Sequence, residues 1–174
     1  MSKIFHALGF LALAMGSLAA QATPVEQWQI IEGRGLTDDA VYLGQPRKQL
    51  LQRSKTCKKP ATECTFRIAP SIQDITVFFN AKNKVERIRF AAQHTNFNCS
   101  GNPIGFTWPT SRGVHFYERF FTVQAAYPGS TVQCGNGLCL VDASKDGLRF
   151  EDRHRAEDCF DDYNGTFEIT PKQP

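Results

Sequence analysis

The sequence predicts an α+β protein made of two similar helix-plus-antiparallel-sheet halves, stapled by disulfides. Three observations carry this expectation. The six cysteines include two pairs separated only by short loops. Several segments alternate apolar and polar residues with the period of a half-buried strand. The order helix, cysteine loop, strands occurs twice along the chain.

Residues 1–22 read as a secretory leader. Lys3 supplies the positive start, Phe5 to Leu18 an apolar run, and Ala20-Gln21-Ala22 the small-x-small cleavage pattern. Cleavage is expected after Ala22. The run is interrupted by His6 and Gly16 and is shorter than the about 20 residues of a bilayer-spanning helix. No later segment approaches that length, and no cysteine lies at the cleavage site to carry a lipid. The remainder is expected to be a soluble periplasmic or secreted protein, with a first half over 23–95 and a second over 96–174. Without Lys3 it carries 19 basic and 17 acidic residues, which is no nucleic-acid signature. The surplus is uneven, because residues 23–90 hold 12 basic and 7 acidic side chains, and residues 91–174 hold 7 and 10.

An oxidising compartment makes disulfides the default reading of the cysteines. In Cys134-Gly-Asn-Gly-Leu-Cys139, Asn136-Gly137 is the preferred dipeptide of a two-residue type I′ turn. Gly135 and Leu138 then pair beside the turn. Cys134 and Cys139 fall at the next, non-hydrogen-bonded position, where Cα atoms lie about 4.5 Å apart. Cys57 and Cys64 close a second short loop around Pro60. Cys99 is left with Cys159, a long loop worth roughly 4 kcal/mol in the chain-entropy model. The spacings C-x4-C and C-x6-C do not match zinc sites, and no histidine adjoins either pair. No metal and no cofactor are expected.

The elements follow in order. Pro46 to Ser54 reads as a short helix with proline at its first position. Thr65 to Ile68, Ile72 to Phe79 and Val85 to Phe90 read as strands, the last two with inward Ile75, Val77, Phe79, Val85, Ile88 and Phe90. Val114 to Tyr127 reads as a second helix with Phe116, Phe120, Phe121, Val123 and Ala125 on one broad face, ended by Pro128-Gly129. Leu138 to Val141, Gly147 to Phe150 and Thr166 to Thr170 complete the strands. In this scheme Cys57 corresponds to Cys134 and Cys64 to Cys139.

The entry Leu43-Gly44-Gln45-Pro46-Arg47-Lys48-Gln49-Leu50-Leu51, followed by strands, resembles the helix-plus-sheet repeat of the β-lactamase inhibitory protein and of the small lipoproteins that accompany outer-membrane assembly. The resemblance covers residues 36–90 and, more loosely, 104–170. The chain departs from it at Gln45-Pro46, where those proteins usually carry Met or Ser/Thr, and in lacking a lipid-bearing cysteine. The resemblance implies a sheet surface used to bind protein, and it carries over no functional residue.

No catalytic set assembles along the chain. No serine lies in a G-x-S-x-G frame, and neither an H-E-x-x-H helix nor a phosphate-cradling glycine loop is present. His115 reads as a boundary histidine of the second helix. Residues 157–165 imitate the middle of an EF-hand loop, but Phe160 would stand at its first ligand position, so the stretch reads as an acidic solvent loop. Arg47-Lys48, Arg53, Lys55 and Lys58-Lys59 form a basic stretch able to grip an acidic partner or an anionic lipid surface. The expected function is therefore a non-catalytic, protein-binding or inhibitory protein of the periplasm, facing a toxin, an envelope hydrolase or an assembly component. The expected contact residues are Arg47, Lys48, Trp108, His115 and Tyr117, since aromatics and arginine dominate binding hot spots. The alternatives are an envelope-assembly accessory protein and a small cell-wall hydrolase acting through His115 or Asp161.

Overall fold

A computed structural model describes residues 23–58, 60–91, 105–153 and 165–174. Seven strands form its main layer: β3 (Glu63–Arg67), β4 (Asp74–Phe79), β5 (Val85–Ala91), β6 (Thr131–Gly135), β7 (Leu138–Ala143), β8 (Leu148–Arg153) and β9 (Thr166–Ile169). Two residue pairs, β1 (Ile30–Ile31) and β2 (Gly35–Leu36), make a separate small hairpin. The helices are α1 (Arg47–Leu50) and α2 (Phe120–Ala126). The seven strands lie in the order β3-β4-β5-β9-β8-β7-β6, and every neighbouring pair is antiparallel. Two three-stranded meanders are thus joined by β9, which pairs with β5 on one side and β8 on the other. Without β9, both central strands would present unpaired N–H and C=O groups.

Alternation assigns the faces. Ile75, Phe90, Phe167, Phe150 and Val141 stand opposite one another across five strands. All five are buried, at no more than 1% exposure. Phe167 sits centrally, with its ring 5.0 Å from Phe150 and 4.5 Å from Phe116. A bulge sets Phe79 opposite Val85 just after Phe78 opposes Arg87, which keeps Phe79 inward and Phe78 outward. The turns follow their local chemistry. Asn136 (φ 53°) and Gly137 (φ 73°) supply the positive φ pair of a type I′ turn. Asn80 accepts from the backbone N–H of Lys82 and Lys84 before β5.

The inner face is covered by α2 against β6, β7 and β8, and by the N-terminal residues with the segment after 105. Trp28 stacks on Trp108 at 6.1 Å. Gln73 grips the Trp108 backbone from both sides, accepting its N–H at 2.7 Å and donating to its carbonyl at 3.4 Å. The first hairpin touches the sheet where Gly33 donates to the Gly147 carbonyl. A Cβ on Gly147 would lie 2.5 Å from Gly33 Cα, so the approach requires glycine.

Several expectations change. The α+β composition is present, with more sheet and less helix than expected. Two similar halves are not shown, since both meanders belong to one sheet and the two disulfides among the described residues sit in different settings. Cys57, in the 3₁₀ turn Lys55–Cys57, bridges to Cys64 on β3, and both are buried. Cys134–Cys139 instead spans β6 and β7 in cross-strand register, with Cα atoms 4.1 Å apart and Cys134 exposed. The helix expected over 46–54 is four residues long. The helix expected over 114–127 begins only at Phe120, because Arg119 is extended (ψ 155°) and Asp152 of β8 accepts the Phe120 N–H at 3.1 Å. The leader, the Cys99–Cys159 bridge, the boundary at residues 95/96, Asp161 and the acidic loop lie outside the described residues. No helix among the described residues is long and apolar enough to cross a membrane.

Candidate functional site

The expected contact residues separate into three places. Trp108 is fully buried, stacked on Trp28 and donating its indole N–H to the Val25 carbonyl at 2.9 Å. It is a core residue and offers no contact surface. His115 and Tyr117 stack on each other at 5.0 Å, and both are half-buried. His115 Nδ1 is buried without a partner, and burial holds its pKa below the ordinary 6.5 against a weaker upward pull from Glu118. Burial, with help from Glu118, raises the Tyr117 hydroxyl above its usual value. No hydrogen bond joins His115 to a described carboxylate.

Arg47 and Lys48 are consecutive on α1, the first buried and the second exposed. Arg47 is only 7% exposed and its guanidinium lies 3.9 Å over the Phe79 ring. Lys48 is exposed. Both line a groove of about 480 Å³ whose other walls come from Pro46, Leu51, Lys58, Lys82 and Asn83. The β4–β5 turn therefore brings Lys82 and Asn83 to α1, a juxtaposition that no local pattern in the sequence signals. Its physical origin is the pairing of backbone groups, with Arg47 N–H donating to Asn83 O at 3.0 Å.

The outer face of the sheet holds a second constellation. Phe78 is half-buried, with the Arg87 guanidinium 3.7 Å and the Arg89 guanidinium 5.4 Å from its ring centre. Glu168 of β9 accepts from both arginines at 3.1 Å. The three charged side chains remain 36%, 41% and 13% exposed. Beside them Leu140, Arg149, Glu151, Thr166 and Glu168 line a hollow of about 140 Å³. Alternation in Asp74–Phe79 and Val85–Ala91 already places Phe78, Arg87 and Arg89 on one face. Their meeting with Glu168 depends on β9, which pairs from far along the chain.

No family model, curated protein or solved structure matches this chain. Among the described residues no group of three metal-ligating side chains is close enough to hold an ion. A third cleft, of about 360 Å³, lies beside the Cys134–Cys139 bridge and is walled by Arg119 and Asp152. Asp152 is engaged there, accepting from Arg119 Nε and from the Phe120 N–H. Phe121 of α2 stands 58% exposed, a ring that the helical periodicity had assigned to the buried face. On a helix of 3.6 residues per turn Phe121 stands well round from the buried Val123, so the two cannot share the inner face.

Proposed function

We propose that this protein is exported to the periplasm and there binds another protein non-catalytically, as an inhibitor or immunity-type partner, through the outer face of its sheet. The observation that supports this reading is the Phe78–Arg87–Arg89–Glu168 constellation. Aromatic and arginine side chains supply most hot-spot energy at interfaces. Here they are held in place before any partner arrives, which lowers the entropy lost on association. The leader-like first 22 residues and two disulfides agree with an oxidising compartment outside the cytoplasm. A sheet surface is also the binding element that the resemblance to inhibitory and assembly proteins implies.

The test is affinity capture from envelope extract with the disulfide-intact chain, alongside the variants Phe78→Ser and Arg89→Ala. The reading expects one stoichiometric partner, retained by the wild type and bound at least about 10-fold more weakly by each variant, since losing a hot-spot side chain costs upward of 1–2 kcal/mol. A partner bound equally well by both folded variants removes this face from the interaction.

A further inference from the structure

We propose that the groove beside α1 is a binding site for an amphiphilic anion, a single carboxylate or phosphate head carried on an apolar chain. This inference does not depend on the protein-binding reading. Arg47 carries it. Buried charges are ordinarily paired, because an uncompensated ion in a poorly hydrated site is costly. Arg47 is 93% buried by the complement of its 7% exposure, yet no described carboxylate lies within ion-pair distance of it. Among the described residues its side chain makes one hydrogen bond, to the Cys57 carbonyl at 3.5 Å, the outer limit of such a bond, and its Nε is buried with no partner. The Phe79 ring lies 3.9 Å from the guanidinium and does not neutralise its charge.

The groove above Arg47 supplies the rest of the site. Lys48, Lys58 and Lys82 are exposed on its rim, and none of them pairs with a described carboxylate. Pro46 and Leu51 give it an apolar wall, and Leu51 is 38% exposed there. The volume of about 480 Å³ falls within the range of small-molecule sites, roughly 300–1,000 Å³. A purely polar anion would leave Leu51 facing water, and a neutral apolar ligand would leave Arg47 uncompensated. An anionic head with an apolar tail satisfies both. The head can reach the site from a free amphiphile or from a lipid in a bilayer.

The probe is dodecyl phosphate below its micelle concentration, titrated calorimetrically into the disulfide-intact chain. Saturable one-to-one binding is expected. Affinity should fall about 10-fold or more in Arg47→Met and in the double variant Lys48→Gln/Lys82→Gln, the range of lost charge-assisted contacts. It should be unchanged in Lys145→Gln, an exposed lysine of the β7–β8 turn that lies outside the groove. The double variant alters only exposed side chains, so the test survives if Arg47→Met fails to fold. Phosphatidylglycerol vesicles distinguish the source. Binding with the same dependence on Lys48 and Lys82 assigns the head to a bilayer lipid, and binding of monomer alone assigns it to a free amphiphile. Equal binding of neutral dodecyl maltoside, undiminished binding by the double variant, or binding of an oligoglutamate peptide without dodecyl phosphate overturns the proposal.

Discussion

Tyr127 donates to one carboxylate oxygen of Glu32 and Ser111 donates to the other, tying the end of α2 and the segment after 105 to the first hairpin. Tyr127 is fully buried, and burial together with the Glu32 hydrogen bond raises its pKa well above the usual range, so it remains a donor. Tyr127→Phe removes that donor and leaves a buried carboxylate oxygen unpaired. A loss of about 1–3 kcal/mol is expected in urea denaturation at pH 7. His115 gives a second prediction at this scale. Its pKa is lowered in the folded chain, so the unfolded chain binds more protons as the pH falls through 6.5. The stability it contributes is complete above that pH and is lost below it. The Tm should therefore fall less between pH 7.5 and pH 5.5 in His115→Gln than in the wild type. An identical fall in both would mean that His115 is not a source of the acid sensitivity. Such residue-scale features were only half legible. Alternation told inside from outside along β4 and β5, but Trp108 looked like a contact residue because its burial depends on Gln73 and Trp28, both distant in sequence.

At the scale of elements, what was legible is what local chemistry decides. The Cys134–Cys139 hairpin follows from Asn136-Gly137, and the register places the two cysteines opposite each other as the turn requires. The start of α2 is not legible in the adjoining sequence because the group that accepts its first N–H, Asp152, arrives from β8. The two bridges make a comparative prediction. Both close short loops, with sequence separations of 7 and 5, so the chain-entropy model gives similar stabilisation, about 2–2.5 kcal/mol each. Their surroundings differ, since Cys57 and Cys64 are buried and Cys134 is exposed. Cys57→Ala/Cys64→Ala should add the loss of buried sulfur packing and cost more than Cys134→Ala/Cys139→Ala. The difference should appear as a lower Tm for the first pair, and equal Tm values would show that loop closure alone accounts for both.

Over the whole molecule, the four residues of β9 decide whether the chain has one core or two. The sequence suggests two halves because each meander is local and each follows a helix. Nothing local announces that a late, short strand inserts between β5 and β8, since the pairing is set by long-range burial of Phe167 and Ile169. The Phe167 ring meets Phe150 of the second meander and Phe116 of the covering segment, while its backbone pairs with Phe90 of the first. Phe167→Ala should accordingly cost about 3–5 kcal/mol, the range of fully buried phenylalanine truncations. It should also loosen both meanders together. Amide hydrogen exchange resolves this: protection in Asp74–Phe79 and in Leu138–Ala143 should fall in parallel in the variant. If protection falls on one side only, the meanders are separate cooperative units that merely share a strand. If it falls on both, β9 is the joint through which the open outer face, with its Phe78, Arg87, Arg89 and Glu168, is held as one rigid surface.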